Sequence, residues 1–360
     1  MELHVLQMKQ GVMPVLLDAE IRIIGPVYDF LRFQRLKGRA PNTLIANGRD
    51  LKVYWEFLQE TGLSYEKISP AELAEFIGYL RYGGEDGGMC QSEPGRTGQT
   101  VNRILSTVHM FYQYHADMQE INNPVLMRDQ DRPANMFKGL LYHARKDSRT
   151  KQSIFKVKEN SYRVHLVTED EMHLFLSCLD KKRDILLYKL LYFTGARIQE
   201  ILDLEIESVP VPDPTIGVGV FRQIRSKGKA RDLYVPMSLI EELDDFIFGE
   251  RSWTETEHSY VFISEHPGHK GKQLTYRAAY DKLKKVQEQT GLSFNFHDLR
   301  HSFCSRLAQT GMDASIIRII MGHEHIATTQ RYTHLSENYI GTALSRYWEG
   351  SIFGGVGNEQ

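Results

Sequence analysis

Apolar positions recur along most of this chain at the three- and four-residue spacing of amphipathic helices. The exceptions mark where the architecture changes. Leu3 to Met8 and Val12 to Leu17 are short apolar runs separated by Lys9-Gln10-Gly11. They predict a small β-hairpin, with Pro14 confining its second strand to an edge because proline cannot donate to a ladder. From Glu20 to about Pro124 the period is helical. Ile24, Val27, Phe30, Leu31 and Gln34 lead to a stop at Lys37-Gly38. Ala40-Pro41-Asn42-Thr43 opens a second helix that carries Ile45, Leu51, Tyr54, Phe57 and Leu58 to Gly62. A third starts at Ser69-Pro70, with Leu73, Phe76, Ile77 and Leu80 on one face. After a glycine-rich loop, a fourth runs from Thr100 to His115. Four helices in about a hundred residues predict a compact all-α bundle.

Beyond a basic stretch containing Pro133, Thr168 followed by Glu171 reads as a capping box. A helix to Leu179 should follow. Asp184 to Phe193 is apolar enough to be buried on all sides and closes at Thr194-Gly195, and Ile198 to Leu204 is again helical. The period then switches to strands: Val218 to Phe221, Gln223 to Arg225 and Asp232 to Pro236. Helices return at Leu239 to Phe248, Tyr276 to Thr290, Asp298 to Gln309, Ala314 to Met321, Thr328 to Tyr332 and Glu337 to Trp348. This half is mainly α with a small antiparallel sheet, an α+β arrangement. The predicted layout is an N-terminal arm over residues 1–19, a helical domain over 20–125 and a basic linker over 126–165. A second domain over 166–350 and a flexible tail over 351–360 complete it.

A length of 360 residues agrees with two domains. The chain is 41% hydrophobic and 25% charged, a soluble globular balance without a membrane-spanning run or a signal-peptide pattern. Cys90, Cys178 and Cys304 are far apart and read as reduced thiols of a cytosolic protein. The net charge of −2 argues weakly against a nucleic-acid partner, but the signs are segregated. Arg128, Arg132, Lys138, Arg145, Lys146, Arg149, Lys151, Lys156, Lys158 and Arg163 crowd one stretch. That is either a solvated linker or a surface that tracks phosphates. Arg39, Asn42, Thr43, Arg49, Lys52, Arg96, Thr97, Gln99, Thr100 and Arg103 occupy polar positions at or near predicted helix starts. Helix starts suit phosphate contacts, although ordinary capping explains Thr43 and Thr100 equally well.

One stretch near the end, Gly322-His323 through Tyr332-Thr333-His334, sets a tyrosine among basic and imidazole groups. A phenol with an ordinary pKa of about 10 is a poor nucleophile unless cations stabilise its phenolate. Alone, Tyr332 reads as a surface residue. Elsewhere stand partners for phosphodiester chemistry. Arg197 lies at a helix start with Glu200 on the same face to orient it, and Lys227 lies in a turn between strands. His297 and Arg300 are three apart on one helix, and His323 precedes the tyrosine. Arginine forks pair with phosphoryl oxygens, and proton donors and acceptors serve the leaving and attacking oxygens. A second reading takes His297, His301, His323 and His325 with Asp298 and Glu324 as a metal hydrolase. That reading leaves Arg197, Lys227 and Tyr332 unexplained. A third is a non-catalytic DNA-binding regulator built from the helices. No phosphate-binding G-x-x-x-x-G-K-[ST] motif is present.

Ala196-Arg197-Ile198-x-Glu200, His297-x-Leu299-Arg300-His301, Gly322-His323 and Thr328-Thr329-x-x-Tyr332-x-His334, in this order, resemble the signature of the tyrosine recombinases, the phage-integrase family. The motifs cover roughly Leu166 to Tyr347, and the preceding helices resemble the family's core-binding domain in pattern. The resemblance implies a C-shaped two-domain clamp on double-stranded DNA that breaks and rejoins strands through a covalent 3′-phosphotyrosine, without metal or nucleotide cofactor. Arg197 and Arg300 would hold the scissile phosphate, and Lys227, with Lys229 two residues away, would protonate the leaving 5′ oxygen. His297 and His323 would bond the phosphoryl oxygens, Tyr332 would attack, and Glu200 would fill the accessory acidic position. His301 and His334 match the pattern without a chemical duty. The resemblance also implies a homo-oligomer, a dimer on each site and a tetramer in synapsis, in the bacterial cytoplasm at the nucleoid, and leaves open whether accessory transposition proteins take part. Ile340, Leu344, Tyr347 and Trp348 would dock on a neighbouring protomer or pack on their own domain.

Overall fold

The computed structural model describes residues 1–9, 11–83, 95–119, 121–131, 149–159, 165–226, 229–322, 344 and 347. The chain divides into two compact units, Met1–Tyr162 and Arg163–Gln360.

The first unit is a helical bundle with two hairpins. Strands β1 (Glu2–Gln7) and β2 (Val12–Leu17) pair antiparallel, with Val5 opposite Pro14. Four helices follow: α1 (Gly25–Leu36), α2 (Pro41–Thr61), α3 (Pro70–Tyr82) and α4 (Gly98–Gln119). Local signals set their ends. Ser69 and Glu72 form a reciprocal capping box at the start of α3, and Gly62 ends α2 with φ of 66°. The apolar stripes meet in one core containing Phe30 and Leu31 of α1, Tyr54 and Phe57 of α2, Phe76 of α3 and Phe111 and Tyr112 of α4. The two buried phenols are satisfied: Tyr54 and Tyr112 share a hydrogen bond of 2.6 Å, and Tyr112 also donates to the Tyr65 carbonyl at 2.8 Å.

The N-terminal hairpin packs into the bundle, with Met13, Val15 and Leu16 buried in its core. The described part of the basic stretch also belongs to this unit. Strands β3 (Met127–Asp131) and β4 (Arg149–Ser153) pair antiparallel, and Phe155 is buried in the same core. Asn102 of α4 clips the following segment in place, its side chain donating to the Val157 carbonyl and accepting from the Val157 N–H, both at 2.9 Å. The boundary between units therefore falls after Tyr162.

The second unit is built around α6 (Lys182–Thr194), buried on nearly every side from Leu186 to Phe193. Around it in sequence stand α5 (Glu169–Ser177), α7 (Ile198–Leu202), β5 (Val218–Ser226), β6 (Lys229–Pro236), α8 (Met237–Phe248), α9 (Tyr276–Thr290), α10 (Phe296–Gln309) and α11 (Ala314–Met321). Helices α8 and α10 and strand β6 pack directly on α6. The Thr168–Glu171 capping box is present, and Gly195 ends α6 with φ of 59°. Helix α10 starts earlier than the periodicity implies. Asn295 is its cap, accepting from the His297 and Asp298 N–H groups, while the Asp298 carboxylate accepts from the Asn295 N–H at 2.9 Å.

The two short strands expected from Val218 to Arg225 are one strand, β5, with a bulge. Phe221 faces Leu233 and Ile224 faces Arg231, so Arg222 and Gln223 together oppose Asp232. Gln223 has φ of 54°, and the Asp232 carboxylate accepts both its N–H at 3.0 Å and Arg222 Nη1 at 2.9 Å. Of the C-terminal helix, two residues are described. Leu344 is buried in the core of this same unit. Tyr347 accepts a hydrogen bond from Arg306 Nε at 2.6 Å and packs edge-on against Phe303. Both therefore pack on their own chain. The proposed Thr328 to Tyr332 helix and the 351–360 tail lie outside the described residues.

Candidate active site

Gly195 turns the chain out of α6 with a positive φ, and Arg197 follows at the cap position of α7. A β-carbon at Gly195 would stand 2.5 Å from the Phe303 ring, so this tight exit requires glycine twice over. Glu200, one turn into α7 and 2% exposed, faces back. Its carboxylate accepts the Arg197 N–H at 2.8 Å and Arg197 Nη1 at 2.9 Å. This is the acidic half of a capping box, and it aims the guanidinium.

Arg300 arrives from α10 and is 6% exposed. It donates through Nη1 to the Gly195 carbonyl at 2.6 Å and through Nη2 to the Met321 carbonyl. It thereby ties the end of α6 to the end of α11. Burial pushes its pKa down to about 10, and the neighbouring Arg231 and Arg197 guanidinium groups add to that shift. Cys304, one turn further along α10, has its thiol pushed up by burial, with Arg300 opposing.

Arg231 lies outside the motifs legible in the sequence. It sits on β6 and reaches both Glu200 oxygens, Nη2 to Oε2 at 2.6 Å and Nε to Oε1 at 3.3 Å, and its Nη1 donates to the Ile320 carbonyl. Two guanidinium groups, of Arg197 and Arg231, thus share one buried carboxylate, and the third, of Arg300, stands close enough to feel all three charges, a formal excess of two positive charges. The C-terminal carbonyls of α11, at the negative end of its dipole, accept from two of them. Such a cluster is built to receive an anion, and the planar fork of arginine matches the oxygens of a phosphodiester.

The other candidates divide. His297 lies in the first turn of α10 and is exposed, while Arg300, three residues on, is buried. Their shared helix is confirmed, but they differ in depth. His301 is exposed as well. Lys227, His323 and Tyr332 lie outside the described residues, as do His325, Glu324 and His334. Their flanks are placed: β5 ends at Ser226 and pairs it with Lys229, and α11 ends at Gly322 with φ of 61°. Asp298, which a metal site would need, is 1% exposed and engaged in the cap of α10. Among the described residues, no group of three or more His, Cys, Asp or Glu side chains could hold a metal ion.

In the first unit Arg39, Asn42, Thr43, Arg49, Arg96, Thr97, Gln99 and Arg103 are exposed, and Lys52 and Thr100 are half-buried. Buried Asp50, midway along α2, joins it to α4, holding Arg103 Nη1 at 2.5 Å and the Thr107 hydroxyl at 2.8 Å. Thr97 caps α4, accepting the Thr100 N–H at 3.3 Å, and Lys52 lies 3.6 Å from Glu56. Arg145 and Lys146 lie outside the described residues. Arg149 and Lys151 stand on β4.

The chain belongs to the phage integrase family, the tyrosine recombinases, which are site-specific DNA strand transferases. It matches that family over residues 165–338 and the family's N-terminal SAM-like domain over residues 28–119. Among its relatives, it is 32% identical to transposase A from transposon Tn554 of Staphylococcus aureus over 343 residues, 93% of this chain and 94% of that one. It is 27% identical to the tyrosine recombinase XerD of the same organism, over 87% of this chain and 95% of that one. Its fold is similar to that of lambda integrase bound as a dimer to a core site, with a TM-score of 0.56 and 15% identity over 86% of this chain and 94% of that one. It is also similar to XerH recombinase in a pre-cleavage complex with difH, with a TM-score of 0.53 and 21% identity over 83% and 78%.

Proposed function

We propose that this chain is a site-specific recombinase or transposase that cuts and rejoins double-stranded DNA to integrate or excise a mobile element. Tyr332 attacks the scissile phosphorus, a 3′-phosphotyrosyl bond forms as the bond to the 5′ oxygen breaks, and Lys227 gives that oxygen its proton. Arg197 and Arg300 neutralise the charge that gathers on the non-bridging oxygens, and His297 and His323 bond those oxygens. The phosphodiester energy is kept in the covalent link, so religation needs no nucleotide cofactor and the reaction no metal. The observation that carries this reading is the cluster in which Arg197 and Arg231 pair with the single carboxylate of Glu200 while the buried Arg300 lies within electrostatic reach of all three. A cluster with that charge excess at the end of α11 makes phosphate the natural substrate group.

The exposed polar residues at the starts of α2 and α4, with the basic residues on and around β4, track the DNA backbone in this reading. The protein works as a dimer on each site and as a tetramer when two sites are joined, in the bacterial cytoplasm at the nucleoid. Among the described residues, no helix is long and apolar enough to cross a membrane.

The test is covalent capture on a nicked suicide substrate carrying the element's end. Wild-type protein should become linked to DNA, in the presence of a chelator as in its absence, and Tyr332→Phe should bind without linking. A Tyr332→Phe adduct would remove this mechanism. Loss of the adduct on chelation would favour the metal hydrolase, and tight binding without any wild-type adduct would favour a regulator.

A further inference from the structure

Arg231 matches none of the motifs that carry the resemblance, yet it makes three hydrogen bonds within the cluster. Its Nε and Nη2 go to Glu200 and its Nη1 to the Ile320 carbonyl, and its side chain is 10% exposed. Arg231 turns its Nε–Nη2 edge to the Glu200 carboxylate, whereas Arg300 donates to the neutral carbonyls of Gly195 and Met321, so the charge of Arg231 is directed at Glu200. Arg197 shares the same carboxylate, but its side chain is 25% exposed. Glu200 is therefore one negative charge between two competing guanidinium groups, one turned inward and one toward solvent.

We propose that Arg231 is a positioning residue that takes up the charge of Glu200, so that Glu200 orients Arg197 without holding it back from the scissile phosphate. The inference rests on the recombinase reading of this site. Its physical basis is competition. A buried carboxylate with a single arginine partner would bind it as a closed ion pair, and a phosphate would have to break that pair to be bound. With Arg231 on the other side, the carboxylate is already compensated. The net charge facing the substrate is then two positive rather than one. The Ile320 contact adds a second duty, since it fixes β6 to the end of α11, from which the chain continues to His323. The glycine at 322 belongs to the same arrangement, because a β-carbon there would lie 2.6 Å from Arg231 Cδ.

A plain structural staple between β6 and α11 would show the same contacts, so the test must separate the two. Two suicide substrates are compared, one with an ordinary scissile phosphate and one with a neutral methylphosphonate at that position. The neutral substrate has less need of arginine charge. Loss of one charge-assisted contact makes Arg231→Met about tenfold or more slower than wild type on the phosphodiester. On the methylphosphonate the expected defect shrinks to within about threefold. Adding Glu200→Gln to Arg231→Met should recover much of the phosphodiester rate, because the uncompensated carboxylate is then gone. An equal defect on both substrates, with no recovery in the double variant, overturns the proposal in favour of a staple. Arg197→Ala is the control for the underlying reading. If its defect also fails to shrink on the neutral substrate, the arginine clamp itself is wrong. If it shrinks while that of Arg231→Met does not, only the role of Arg231 is lost. Urea midpoints accompany each variant. Should Arg231→Met not fold, Arg231→Lys keeps a charge for Glu200 but gives up the fork, and a smaller defect with the same shrinkage is expected.

Discussion

Arg231 lies directly against Gly322, leaving no room for a β-carbon, and Gly322 has φ of 61°. The two constraints act together on Gly322→Ala. The left-handed backbone costs about 1 kcal/mol for any residue with a β-carbon, and the contact forces the Arg231 side chain to shift. A total loss of about 1–3 kcal/mol is expected, read as a lower urea midpoint at unchanged slope. Covalent cleavage should fall by more than the fraction unfolded explains, because Arg231 moves. A variant with normal cleavage would show that the Arg231 contacts tolerate displacement.

Arg300 allows a prediction in pH. Its folded pKa, pushed down to about 10, lies below the ordinary arginine value. The folded state therefore binds this proton less well than the unfolded chain does. The resulting penalty is present below about pH 10 and is relieved as the pH rises through and above it. Arg300 itself stays charged at neutral pH. A lysine in its place starts from about 10.4, and the same burial and neighbouring guanidinium groups lower it toward the neutral range. Single-turnover cleavage by Arg300→Lys should therefore decline between about pH 6 and pH 9, where wild type does not. Parallel pH profiles for the two proteins would contradict the burial argument.

Asp50 gives the opposite sign. Burial raises its carboxyl above the ordinary range, opposed by the Thr107 hydroxyl and by Arg103. Ionised Asp50 thus costs stability above its folded pKa, and a fall in pH through that value relieves the cost. Asp50→Asn keeps a partner for Thr107 and loses a pair whose Arg103 side chain is 52% exposed. At neutral pH its stability should be within about 1 kcal/mol of wild type. As the pH is lowered through the raised pKa, wild type should gain on the variant, measured as the difference in urea midpoints. DNA binding by the variant should weaken above the raised pKa, where wild-type Asp50 is ionised, since Arg103 loses its aim. Unchanged binding would take Arg103 out of the interface.

What could be read from the sequence follows from how far apart the interacting residues are. The Thr168–Glu171 box, the buried run of α6 and its glycine stop are local signals, and the structure bears them out. The fold class and the family motifs were legible for the same reason. Errors arose where a local pattern had two meanings. Asn295 and Asp298 read as loop and helix start, but they form one capping box that sets the helix at Phe296. The gap at Arg222 looked like a break between strands and is part of a bulge with Gln223. Phe155 was hidden among basic residues, although it is buried in the first core. Arg231 could not have been found at all. Its partners Glu200 and Ile320 lie 31 and 89 positions away, and an arginine on a short strand gives no sign of them.

Arg197→Lys is the sharpest test of the chemistry. The charge is retained, so electrostatic attraction of DNA to the protein should change little. What is lost is the planar guanidinium, whose Nη1 donates to Glu200 at 2.9 Å and which in this reading also pairs with the phosphate. The lysine amine cannot satisfy a buried carboxylate and two phosphoryl oxygens in one plane. Hydrogen bonds to charged groups contribute about 1.5–3 kcal/mol, so cleavage should slow about 10- to 150-fold. The loss should appear in the rate of the covalent step at saturating protein, with the binding midpoint within about threefold of wild type, since the interaction is needed most in the transition state. If Arg197→Lys instead weakens binding and leaves the covalent rate intact, Arg197 contributes to ground-state binding of DNA rather than to the transfer of the strand.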